Sequence, residues 1–124
     1  MLFRSVDGQR DVFEAKTREM MPLFEASPVD VIHLESCSAE FGDLDAFRDF
    51  PKDKVLGLGV VDAKSYLVDP PEVIADRIRR RLDIVPPDRL LVAPDCGLGY
   101  FSRTTAYAKL RNLGQAVATV RAEL

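Results

Sequence analysis

Three short segments of this 124-residue chain hold the groups that could do chemistry. His33-Leu34-Glu35-Ser36-Cys37 offers an imidazole, a carboxylate and a thiol. Val61-Asp62-Ala63-Lys64-Ser65 offers a carboxylate and an amine, and Pro94-Asp95-Cys96-Gly97-Leu98 a carboxylate and a thiol. Each follows or closes an apolar run that reads as a β-strand, and in parallel α/β sheets the working residues sit just past the carboxyl ends of the strands. Glu35, Lys64 and Cys96 would then converge on one rim. Unpaired charge at the end of a buried strand is costly, so such clustering asks for more than a structural explanation. The structural explanation is that Glu35 pairs with Lys64 and Cys96 is a small packed residue. A lysine serves as a general acid only if its pKa is lowered; otherwise it pairs with an anion. His33, the single histidine, lies two residues before Glu35 on the same strand face, as a packed ring or a partner of Glu35. Cys37 reads as an ordinary thiol. Asp62 and Asp95 read as loop or capping groups, or as contacts to a substrate.

The elements that must position these groups alternate along the chain. Residues 10–26 carry a helical stripe of Phe13, Met20 and Phe24; Pro22 should kink or delay that helix, and Ser27-Pro28 should end it. Residues 29–35 read as a strand and 43–50 as a short helix with Leu44, Phe47 and Phe50 in step. Residues 55–61 (VLGLGVV) are almost wholly apolar, the pattern of a parallel strand buried on both faces. Pro70-Pro71-Glu72 opens a helix whose Ile74, Ile78 and Leu82 recur every four residues, and Pro86-Pro87 ends it. Residues 89–94 form a third strand. A last helix over 103–123 presents Ala106, Leu110, Leu113, Val117 and Val120. Strands separated by helices of this length make right-handed βαβ units and a parallel sheet. Gly57 and Gly59 fall inside a strand, not at a strand–helix turn, so they are no phosphate loop; they make room for packing or for a ligand.

Composition narrows the function classes. With 47% hydrophobic and 30% charged residues the chain has the profile of a globular domain, and residues 1–124 form one unit. A net charge of −3 implies no general affinity for nucleic acid or anionic membrane. The run Arg77, Arg79, Arg80, Arg81 reads as the solvated face of a helix. No apolar run reaches the ~18 residues of a membrane span, and the start has no apolar signal core, so a cytoplasmic location is expected. In that compartment Cys37 and Cys96 are more often ligands or packing residues than a bridge.

Here a resemblance becomes specific. VDVIHLES, LGLGVVDAKS and VPPDRLLVAPDCGL resemble three successive strand ends of the cobalamin-independent methionine synthase family, in order and with Lys64 and Cys96 lying 29 and 61 residues after Glu35. The likeness covers about residues 28–121. It implies the last three strands, with their helices, of a (β/α)₈ TIM-type barrel, a fold that takes about 250 residues when complete. It implies a zinc-dependent methyltransferase that moves a methyl group from 5-methyl-tetrahydrofolate to the zinc-bound thiol of homocysteine to form methionine. By the resemblance Glu35 and Cys96 fall on two of four zinc ligands, and zinc accepts both donor types. Lys64 falls on the position of a histidine thought to donate a proton to the departing folate.

Two features depart from the family pattern. The other two ligands belong to a His-x-Cys motif that this chain does not contain; Leu2-Phe3-Arg4-Ser5 resembles the stretch just downstream of it. His33 could then stand as a substitute ligand or a partner of Glu35. Lys64 in place of histidine suggests a divergent branch with another donor or thiol acceptor. The rival readings are a related thiol alkyltransferase, and a non-catalytic half-barrel that works as a subunit or interaction module. Topology adds an expectation about assembly. With helices on one side only, an inner face of Val31, Leu56, Leu58, Val60 and Val92 and an open sheet edge would drive self-association or pairing with a chain that supplies the missing strands.

Overall fold

The computed structural model describes the backbone of residues 10–37 and 44–124, and the side chains of 17–37 and 44–124. Phe13's side chain and the Leu2–Ser5 segment lie outside the described residues. The elements follow the expected order: α1 (Arg10–Ala26), β1 (Val31–Leu34), a 3₁₀ helix (Leu44–Asp49), β2 (Val55–Val61), α2 (Pro71–Leu82), a 3₁₀ turn (Pro87–Arg89), β3 (Leu90–Pro94) and α3 (Arg103–Glu123). The strands form one parallel sheet in the order β1-β2-β3. No described helix is long and apolar enough to cross a membrane.

Local chemistry sets the boundaries. Proline at the first position of α2 gives up only an amide that the helix could not have bonded. Ser102 caps α3 by accepting the Thr105 N–H at 3.2 Å. Pro22 lies inside α1, and the helix starts well before it, so the proline does not delay it. The ammonium of Lys54, at the foot of β2, donates to the Ser27 and Val29 carbonyls at 2.8 and 3.0 Å and ties β2 to the turn before β1.

The sheet is covered on one face. Ile32, Leu34, Leu56, Leu58 and Leu90 point one way and pack with Phe24, Phe47, Phe50 and Val85. Beside them Val60, Val61, Ile74, Ala75, Ile78, Ala116 and Val120 form the core under α2 and α3. Removing that apolar surface from water, at about 25 cal/mol per Å², is what holds the helices to the sheet. The opposite face bears Val31, His33, Gly57, Gly59, Leu91 and Ala93, as the strand pairing dictates. No described helix lies on it, and Val31, His33 and Leu91 are exposed.

This corrects the expected inner face. Of the five residues named for it, Leu56, Leu58 and Val60 are fully buried and Val92 packs into the helix-side core; only Val31 lies on the open face. The strand is apolar or glycine at every position, so alternation gave no contrast by which to tell its sides apart. What decides the side is size: a methyl at Gly57 would press on the His33 ring, and one at Gly59 would overlap the Asp95 carboxylate.

The helix stripes are also corrected in detail. In α3, Val120 is buried and Leu113 and Val117 pack against the core as expected, but Leu110 is 47% exposed, and Lys109 and Ala116, outside the expected stripe, are buried. In α1, Phe24 is buried but Met20 is exposed, and Met21 takes its place against the core.

Candidate functional site at the carboxyl rim

The three strand ends meet as expected. Lys64, after β2, places its Nζ 2.6 Å from Glu35 Oε1, after β1. Partial burial pulls the Lys64 pKa down, but the hydrogen bond and charge of Glu35 outweigh it and hold the ammonium above its ordinary range. Asp95 and Cys96, after β3, act in the same direction. Glu35, Lys64 and Cys96 thus share one neighbourhood. Lys64 is held as the counter-charge of Glu35. A group whose pKa is raised gives up its proton reluctantly, so this geometry suits pairing with Glu35 or an anionic substrate better than acid catalysis. Cys96 is exposed, not a packed residue of the core.

The carboxylates beside these groups work on the backbone. Asp62 Oδ1 accepts the amides of Lys64 and Ser65 at 2.7 and 3.2 Å and shapes the Lys64 loop. Asp95 is buried, and its Oδ1 accepts the amides of Ser36 and Cys37, both at 2.9 Å. His33 Nε2 lies 3.3 Å from the Asp95 carbonyl oxygen, with its ring over Gly57 on the open face.

Several residues that hold the site escaped the sequence reading. Arg81, expected on a solvated face, is 3% exposed. It donates to the Ser36 carbonyl at 2.6 Å and to Ser36 Oγ at 3.0 and 3.2 Å. Arg77 donates to Asp69 Oδ2 at 2.6 Å and to the Val60 carbonyl at 3.2 Å, and Arg79 pairs with Glu123 of α3. Lys109 is 1% exposed; its ammonium donates to the Asp62 and Leu67 carbonyls at 3.0 and 2.6 Å and lies 4.8 Å from the Phe101 ring centre. The loop that carries Lys64 is thus pinned from α2 and α3. The signal was positional. Arg81 follows Ile74 by seven residues and Lys109 precedes Ala116 by seven, so both lie on the core side of their helices.

The two thiols differ. Burial pushes the Cys37 thiol up to about 11, so at pH 8 roughly one in a thousand is thiolate. Iodoacetamide at pH 8 is expected to label exposed Cys96 at least about ten times faster than Cys37, read by peptide mass spectrometry. Equal rates would contradict the placement. Because the folded pKa is raised, the stability Cys37 contributes is complete below about pH 9 and is lost as pH rises toward 11.

A tetrahedral zinc needs four donors. Among the described residues no group of three or more His, Cys, Asp or Glu side chains could hold a metal ion, and Glu35 is engaged by Lys64. These residues do not by themselves make a zinc site; Glu35 and Cys96 are at most half of one.

Comparison with known proteins agrees with this geometry. The family model described as cobalamin-independent synthase, catalytic domain, matches residues 14–119. A methionine synthase from Thermococcus kodakarensis is 39% identical over 101 residues, 82% of this chain and 30% of that protein. A 2-hydroxypropyl-CoM lyase from Xanthobacter autotrophicus is 38% identical over 113 residues, 87% of this chain and 30% of that protein. The structure of a B12-independent methionine synthase from Shewanella sp. W3-18-1, in complex with selenomethionine, matches with a TM-score of 0.76 at 23% identity, over 90% of this chain and 31% of that one. The fold is therefore α/β, a three-stranded parallel sheet corresponding to a fragment of a TIM barrel. The chain spans less than a third of the length of these relatives.

Proposed function

The chain belongs to the cobalamin-independent synthase catalytic-domain family, and from that footing we propose that it is the C-terminal catalytic part of a methyltransferase of the methionine-synthase type. The reaction would carry a methyl group from 5-methyl-tetrahydrofolate to the thiol of homocysteine. The observation that supports this best is the meeting of Glu35, Lys64 and Cys96 at the carboxyl rim, where barrel enzymes work. In the assembled barrel Glu35 and Cys96 would supply two zinc donors and other strands the rest. The open sheet face and the outer edges of β1 and β3 would be covered by those strands or by a second copy.

A second reading, thiol alkylation with another donor or acceptor, is favoured by one feature. Lys64 stands where the family pattern has histidine, and it is held as an ammonium that suits an anionic substrate group. The 38% identity to a 2-hydroxypropyl-CoM lyase is in keeping with it.

The test is a chimera in which this chain replaces the corresponding part of the T. kodakarensis methionine synthase, assayed with methyl-folate and homocysteine and then with coenzyme M. Lys64→Ala is expected to lower kcat by about 100-fold or more, the usual worth of a charge-stabilising group at a reacting centre. Unchanged turnover would make Lys64 a structural charge. Product on coenzyme M alone would select the second reading.

A further inference from the structure

We propose that Lys109 is a positioning residue that sets Lys64 against Glu35 at the carboxyl rim; this rests on the reading of that rim as the reacting surface. Residues 62–69, which carry Lys64, form neither helix nor strand, so their main-chain groups must find other partners. Lys109 of α3 donates to the Asp62 carbonyl at 3.0 Å and to the Leu67 carbonyl at 2.6 Å, one on each side of Lys64. Between these two points the turn closes on itself. Asp62 Oδ1 takes the amides of Lys64 and Ser65, and Ser65 Oγ takes the Leu67 amide at 3.2 Å. The same ammonium lies 4.8 Å from the centre of the Phe101 ring, and Phe101 meets Tyr66 edge to face at 5.4 Å. Phe101 belongs to the segment after Cys96, so one cation joins the loop after β2 to the loop after β3.

Lys109 is 1% exposed, and the hydrogen bonds of its ammonium go to main-chain carbonyls rather than to a carboxylate. Burying a cation on those terms is costly, and an apolar side chain of similar length would fill the space. What the ammonium adds is placement: several donors on one atom draw two carbonyls toward a single point. Lys64 needs that placement. Its side chain is half exposed, and an ion pair so open to water holds little on its own. The 2.6 Å approach of Lys64 Nζ to Glu35 Oε1 therefore depends on where the turn is clamped. Release of the clamp should loosen that pair while the fold survives, since Ala116 and Val120 still seat α3 on the core. Asn112, three residues along α3, donates to the Asp69 carbonyl at 2.9 Å, beyond the Lys64 turn, and supplies the control.

The test is acetylation of the full 124-residue chain by limiting acetic anhydride, read at each lysine by peptide mass spectrometry, with exposed Lys52 as the internal reference. Amines react as the free base, so Lys64, held as an ammonium by Glu35, should label more slowly than Lys52. In Lys109→Met the labelling of Lys64 relative to Lys52 should rise at least about threefold, since the free-base fraction changes tenfold for each unit of pKa. Asn112→Ala should leave that ratio unchanged. If Lys109→Met does not fold, Lys109→Gln carries the same test, since it removes the charge and leaves one amide donor group. An unchanged Lys64 ratio in the folded Lys109 variant overturns the proposal. Turnover by the T. kodakarensis chimera supplies a second reading. Lys109→Met should lower kcat/KM at least about tenfold, as misplacement of a group at the reacting centre does, and should add nothing in the Lys64→Ala background. Losses that multiply would make Lys109 a merely structural cation and overturn the proposal. A chimera that folds without turning over refutes the reading of the reaction, while the labelling ratio still decides whether Lys109 sets Lys64.

Discussion

Gly59→Ala is expected to destabilise the chain by at least about 3 kcal/mol, the sum of an overpacked core position and the loss of charge-assisted hydrogen bonds. A methyl group at Gly59 would overlap the Asp95 carboxylate and lie 2.9 Å from the Asp95 Cα. Asp95 cannot swing away freely. It is buried, and its carboxylate holds the Ser36 and Cys37 amides. The methyl must therefore push β3 away from β2 or break both bonds. For a chain of this size the loss corresponds to a drop of about 10 °C in Tm. Gly57→Ala is the control. There the methyl meets His33 Nδ1 at 2.9 Å and His33 Cα at 3.2 Å, but His33 lies on the open face and its ring can turn aside. We expect a smaller change, of about 1 kcal/mol. Equal tolerance of alanine at both glycines, by thermal melts followed by circular dichroism, would contradict the placement of Asp95.

Arg81→Ala should cost about 3 kcal/mol, since it leaves buried polar groups of Ser36 without their donor and removes a packed side chain. Burial lowers the Arg81 pKa, yet the nearby Cys37 and Asp95 oppose that fall, and a guanidinium stays charged at any ordinary pH. Arg81→Lys should not restore stability, because a single ammonium cannot reproduce the fork that takes both the Ser36 carbonyl and its hydroxyl. Arg80→Ala, at an exposed position of the same run, should change stability by less than about 0.5 kcal/mol. Urea denaturation midpoints distinguish the two. If Arg80 and Arg81 tolerate alanine alike, the basic run is a solvated face after all.

These two residues also show how far the sequence could be read. Strand β2 was legible to the residue, because VLGLGVV has no polar interruption and is framed by Lys54 and Asp62. The start of α2 was legible because proline there has a physical meaning, and the convergence of Glu35, Lys64 and Cys96 followed from parallel topology alone. The facing of β2 was not legible. Period-two alternation needs contrast, and Leu56, Leu58 and Val60 differ from Gly57 and Gly59 only in size. The structural roles of Arg81 and Lys109 stayed hidden for another reason. Their partners are main-chain carbonyls, which leave no mark in a sequence, and a cation is normally read as facing water. Only their seven-residue spacing from Ile74 and Ala116 gave them away. The Glu35–Lys64 pair was anticipated as the structural alternative to catalysis, and the geometry shows that pairing at 2.6 Å.

The most direct measurement on this rim is methyl transfer to homocysteine by the T. kodakarensis chimera carrying Cys96→Ala. If Cys96 and Glu35 together provide half of the centre that binds the acceptor thiol, then removing one donor should lower kcat/KM by at least about 100-fold, with the melting profile unchanged, because metal-assisted thiol activation supplies several kcal/mol of the rate. Glu35→Gln should act alike. A chimera that folds, turns over, and keeps its full rate after Cys96→Ala would contradict the assignment of this rim as the reacting centre.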